Sequence, residues 1–152
     1  WKKFAAAQPD PARLPACADY LLNRVAAARN PAANEASQKA RFYNAQEAAV
    51  FEHVSTVDKQ LSAYGGADIQ AVPLREPELA DYAPDAEPVT FAPGISAGPK
   101  ELKASLDRWN ARLPEISEAR KKAIEDFAQA VRADTALLTE LADLDAKLKR
   151  TD

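Results

Sequence analysis

His53 and Cys17 are the only histidine and the only cysteine in the chain, and together they would supply the base and the nucleophile of a thiol-dependent catalyst. Their placement argues against that use. They lie 36 positions apart (53 minus 17) on two different predicted helices, so only a fold that unites them could make them a pair. A single cysteine allows neither an internal disulfide nor a cysteine-based metal cluster. Cys17 is therefore expected to be a small buried hydrophobe on the first helix, and His53 a residue flanking the apolar seam of the second. Glu47 stands within that seam, between Tyr43 and Val50. It either fixes register and partner choice, as polar seam residues do, or marks where the helices diverge toward solvent. Other carboxylates are plentiful, but no two stand out as an acid and a base. Gly65-Gly66, Gly94 and Gly98 match neither phosphate-loop pattern. With no catalytic residue, metal ligand or cofactor signature, the sequence reads as non-enzymatic.

The elements that carry these residues follow from periodicity. Alanine accounts for 34 of the 152 residues, which favours helix over a thick core, because alanine has high helix propensity and little apolar area to bury. Leu14, Leu21, Val25 and Ala28 recur on one helical face, and Asn30-Pro31 closes that helix and opens the next. The first helix is placed at 15–29. Ala36, Ala40, Tyr43, Glu47, Val50, Val54, Val57, Leu61 and Tyr64 then alternate spacings of four and three, the seam of a coiled coil or antiparallel hairpin, and Gly65-Gly66 stops it. The second helix is placed at 34–64. Leu102, Leu106, Trp109, Leu113 and Ile116 continue the pattern across Pro114, where a kink or a break is expected, giving helices at 100–113 and 114–150. Trp109 falls on the apolar stripe and belongs to the core.

Residues 65–99 differ in kind. They hold all four glycines, six of the eleven prolines, six carboxylates and one cation, Arg75. Prolines this frequent exclude helix and central strand, so the segment is expected to be an extended, acidic connector. It is too apolar for a solvated linker. Leu74, Leu79, Tyr82, Val89 and Phe91 are the candidate partner-binding residues, lying in grooves of the chain's own helices or of a partner.

The order of features across 12–75 is similar to the C-terminal part of the BRO domain of ALIX-like, ESCRT-associated adaptor proteins. A helix resembling ARLPACADYLLNRVAAA precedes one containing VFEHV, and an extended element with VPL follows in AYGGADIQAVPL at 63–74. Ser55 stands where that family has proline. The resemblance implies an adaptor role. It assigns no functional residue, because the family's ESCRT-binding surface lies outside the matching stretch.

The expectation is a single all-α domain over 1–152: an elongated bundle of three or four helices, or an antiparallel helical hairpin, pairing 36–64 with 114–149 around the proline-rich connector. With Trp1 first and no methionine, it reads as a processed chain or as part of a longer one. A net charge of −3 gives no basic surplus for nucleic acid, and no apolar run is long enough to insert in a membrane. The leading functional expectation is a scaffold, adaptor or accessory subunit with a protein partner or a second copy of itself. The alternatives are a helical ligand-binding or sensor domain of an extracytoplasmic protein, and a fragment of a BRO-like adaptor.

Overall fold

A computed structural model of the chain describes residues 14–63 and 71–149, with side chains from 22 onward. The lead-in at 1–10, the side chain of Cys17, the seam end at Tyr64 and the Gly65-Gly66 stop lie outside the described residues. The elements in order are α1 (Leu14–Arg29), α2 (Pro31–Ala63), β1 (Val72–Leu74), β2 (Pro77–Leu79), β3 (Val89–Phe91), β4 (Ile95–Ala97), α3 (Pro99–Arg132) and α4 (Thr135–Lys149). They form two compact units: Gln38–Lys122, and the remainder of the described residues.

In the unit outside Gln38–Lys122, one residue ends a helix and starts the next. The Asn30 amide donates to Ala26 O at 3.0 Å, closing α1. Its side-chain Oδ1 accepts from Ala33 N at 3.0 Å, the N-cap bond of α2, and Pro31 fills the first helical position, where no N–H is needed. Asp134 does the same for α4, accepting from Leu137 N at 3.0 Å. The two caps are joined, since Asn30 Nδ2 donates to Asp134 Oδ2 at 3.2 Å and to Ala130 O at 3.3 Å. α1 packs against α4, and the buried side chains here are Ala26, Ala33, Ala36, Ala123 and Leu137.

In Gln38–Lys122, α2 and α3 run antiparallel with the connector laid against them. Two apolar clusters mark the seam. Val57, Leu74, Ala97 and Leu102 form one, with Leu61, Val72 and Leu106 around it. Val50, Trp109 and Ile116 form the other, with Val54, Leu79 and Leu113 around it. Each cluster thus takes residues from both helices and from the connector.

The structure differs from the expectations at three points. The chain is mostly helical, compatible with the all-α expectation, but 72–97 adds two short antiparallel ladders, with Val72↔Ala97 to Leu74↔Ile95 in one and Pro77↔Phe91 to Leu79↔Val89 in the other. Each ladder has only two strands, so every strand has a free edge on which a proline lacking N–H is tolerated. The Ala83–Ala86 turn, with Pro84 at its second position, reverses the chain through Ala86 N to Ala83 O at 3.1 Å. Secondly, α3 passes through Pro114 unbroken. A mid-helix proline costs about 3 kcal/mol, and Leu113 and Ile116, packed in the Trp109 cluster, offset it. The break falls at Asp134 instead. Thirdly, the seam of α2 pairs with Leu102–Ile116 and, through Glu47, reaches only as far as Ser117 and Arg120 of 114–149, while α4 packs on α1. Gly98 caps α3 by donating its N–H to Glu101 Oε2 at 3.0 Å. A Cβ there would stand 3.2 Å from that oxygen.

Candidate functional site

Between the two apolar clusters of Gln38–Lys122 lies a polar core. The α2 stripe that faces inward includes Phe42, Gln46, Val50, His53 and Val57, so two polar residues are buried on the same face as the valines. His53 is 8% exposed, not a flanking surface residue, and Ser105 of α3 is fully buried. His53 Nε2 and Ser105 Oγ are 2.9 Å apart. The Trp109 ring packs edge-on to the imidazole, centroids 6.2 Å apart, and the Arg112 guanidinium lies 5.6 Å from the centre of the Trp109 ring. Glu76, in the link between β1 and β2, ion-pairs with Arg108 of α3 and comes within reach of Ser105.

The charges explain the arrangement. Burial holds the His53 imidazole below its ordinary range; the Glu76 carboxylate pulls the other way and the Arg108 charge adds to the lowering. Burial also raises the Glu76 carboxyl, but hydrogen bonding from Ser105 and Arg108, with the Arg108 charge, outweighs it and keeps Glu76 ionised. Trp109 Nε1 makes no hydrogen bond of regular geometry, yet its N–H adds to the field favouring the carboxylate. His53 Nε2 and Ser105 Oγ share one hydrogen bond, whose direction depends on the imidazole tautomer. Ser105 thus links α2 to α3, and its hydroxyl favours the ionised form of Glu76 in the connector.

A second clamp holds the far part of the connector. Gln46 Nε2 donates to Ala80 O at 2.8 Å and to Pro88 O at 3.0 Å, gripping both strands beyond the β2–β3 ladder.

The five candidate partner-binding residues divide. Leu74 is 5% exposed and sits in the Val57 cluster, and Leu79 is half-buried against Val50 and Trp109. Val89 pairs across the ladder with Leu79. Tyr82 packs edge-on to Phe42 at 5.3 Å and tilted over Tyr43 at 6.5 Å. Phe91 remains 49% exposed, with the Arg75 guanidinium 5.9 Å from its ring centre. The connector's apolar residues therefore lie largely in grooves of the chain's own helices.

An unfilled groove lies on the other side of the helix pair. It has a volume of about 790 Å³, and Phe51, 64% exposed, stands in it. Asn44, Ala48, Phe51, Ser55 and Lys59 line it from α2, and Leu113, Ser117 and Lys121 from α3. At its edge Glu47 accepts from Ser117 Oγ at 2.6 Å and from Arg120 Nε at 3.2 Å, and these bonds hold its carboxyl below the usual range against the opposing effect of burial. Glu47 thus bridges the two helices. The periodic pattern singles out Val50 and passes over Phe51. The signal was present nonetheless, because adjacent residues on a helix lie about 100° apart, so Val50 and Phe51 cannot share one buried stripe.

Among the described residues no group of histidine, cysteine and carboxylate side chains could hold a metal ion, and no helix is long and apolar enough to cross a membrane. Comparison with known proteins gives no matching family, no matching curated protein and no matching solved structure.

Proposed function

We propose that the chain is a non-enzymatic interaction module, a scaffold, adaptor or accessory subunit, and that the Phe51 groove receives an amphipathic helix from a protein partner. The observation that carries this reading is Phe51: a large aromatic side chain 64% exposed in a groove between two helices. A lone exposed apolar residue needs no explanation, but this one lies on a stripe spaced four, three, four and four from Asn44 to Lys59. That stripe is about 22 Å long at helical rise. Facing it, Leu113, Ser117 and Lys121 repeat every four residues, so the two rows form the walls into which a third helix fits by knobs-into-holes packing. Small side chains at Ala48 and Ser55 flank Phe51 and leave room for apolar knobs. The Glu47–Arg120 pair is neutral as a whole, and Glu52, Lys59 and Lys121 add charge along the groove, which suits a helix with an apolar stripe between charged flanks. Ser105 is fully buried, out of reach of a substrate, which supports the non-enzymatic part of the reading.

Panning a displayed library of about 20-residue helical sequences against the full chain tests the proposal. Enriched sequences should repeat apolar residues at three and four, and should lose binding to Phe51→Glu while keeping it to Phe91→Ser. Enrichment indifferent to Phe51→Glu sinks the reading. The BRO-like order of features contributes no residue to it.

A further inference from the structure

The β2–β3 ladder has an unused edge. Hydrogen bonds from Ala80 N to Pro88 O at 3.2 Å and from Ala92 N to Glu76 O at 2.9 Å fix which pairs exchange bonds across the ladder. In the observed register those are 76↔92 and 80↔88, with 78↔90 between them. The N–H and C=O groups of Val89 and Phe91 therefore point away from β2. Among the described residues none hydrogen-bonds to them. The opposite edge, on β2, is poorer, because Pro77 has no N–H to offer.

Charge says what such an edge would attract. Glu78, Asp81, Asp85 and Glu87 are all exposed, and from Glu76 to Pro99 the sequence contains no lysine or arginine. Arg75 lies at the other end of the ladder, its Nε donating to Ala92 O at 3.2 Å beside Phe91. The field along β3 thus runs from acidic at the Ala83–Ala86 turn to basic at Phe91.

We infer that the outer edge of β3 binds an extended, basic segment of a partner protein as an added strand, with its Lys or Arg residues at the turn end. Main-chain bonds to Val89 and Phe91 supply the pairing, and side chains on the inner face of the added strand extend the apolar surface of Val89 and Phe91. The carboxylates set polarity and association rate. This surface is independent of the Phe51 groove: it takes a strand, not a helix.

The test is a fluorescent peptide of about six residues alternating lysine and valine, titrated against the full chain, with its glutamate–valine counterpart as control. The lysine peptide should bind, more weakly as salt rises, and should shift the Val89 and Phe91 amide resonances most. Val89→Pro removes an outward donor and leaves the β2–β3 bonds in place, so binding should weaken about tenfold. The double variant Asp85→Asn with Glu87→Gln, which keeps the fold even if the proline does not, should weaken it about fivefold and flatten the salt dependence. Phe51→Glu should leave it unchanged. Equal binding of the glutamate peptide, unaltered binding by the double variant, or no binding at millimolar peptide overturns the inference.

Discussion

Residues 38–122 and the unit formed by the rest of the described chain are held together by different means. In the first, Val50, Val57, Leu102, Trp109 and Ile116 supply large buried side chains, and Gln46, His53 and Ser105 are buried among them with hydrogen-bond partners. In the second, four of the five buried hydrophobic side chains are alanine. Alanine lets helices approach closely but removes little apolar area from water. That unit leans instead on its linked caps, Asn30 and Asp134, and on an exposed Arg29–Glu140 ion pair at 3.1 Å. The difference teaches that helix content is a poor guide to where stability resides. The unit with less regular helix, burdened with prolines and buried polar groups, is the better packed.

The largest effect should come from Trp109. It touches Val50 and Ile116 on one side and the His53 ring on another, so Trp109→Ala removes the centre of a cluster. A loss of about 3–5 kcal/mol is expected in urea unfolding followed by circular dichroism. A loss below about 1 kcal/mol would break the contrast between the two units.

The next effect is pH-dependent and belongs to 38–122 alone. His53 has a folded pKa lowered from 6.5 by burial, so the folded state disfavours its charged form. Stability is full above pH 6.5 and falls as pH drops from there through the folded value. Glu76 is lowered from 4.5, so a second loss begins near that pH and continues as the carboxylate is protonated. Thermal melts from pH 8 to 4 should show the first decline in the native chain, while His53→Gln, whose amide can still donate to Ser105, should stay flat until the second. A parallel decline in His53→Gln would place the acid sensitivity elsewhere.

The smallest effect tests the other unit. Asn30→Ala removes a cap and the cap-to-cap bond, at a cost of about 1 kcal/mol. Hydrogen exchange should quicken at the start of α2, with the amides of Val57 and Leu102 unaffected. Asn30→Asp sharpens the comparison: it keeps the acceptor for Ala33 N but places a carboxylate against Asp134, so the link is lost and the cap kept.

Much of this was readable in advance, and the reasons for the rest are specific. Asn30-Pro31 marked the α1–α2 junction because cap chemistry is local. Trp109 was placed in the core by spacing alone. Pro114 misled because its local cost is real but is outweighed by the distant contacts of Leu113 and Ile116 with Val50. Asp134 was missed because a single capping side chain leaves no periodic trace. The ladders were missed because strands of three residues are too short to show alternation, and Ala-Pro-Asp-Ala carries no Asn-Gly signature for a hairpin. Among the site residues, the pattern of apolar spacing had no means of registering Gln46, His53 or Ser105, whose burial depends on partners 34 to 52 positions away.

The nested pairing of 72–97 also bears on how the chain reaches this state. The Ala83–Ala86 turn needs only neighbours to form, and once it has formed, Ala80 meets Pro88, Leu79 meets Val89, Leu74 meets Ile95 and Val72 meets Ala97. Each step closes a loop only slightly larger than the one already closed. The entropy of bringing Val57 against Leu102 is thereby spread over a run of short closures in place of one long search. Prolines that look like obstacles to structure restrict the arms that these closures bring together.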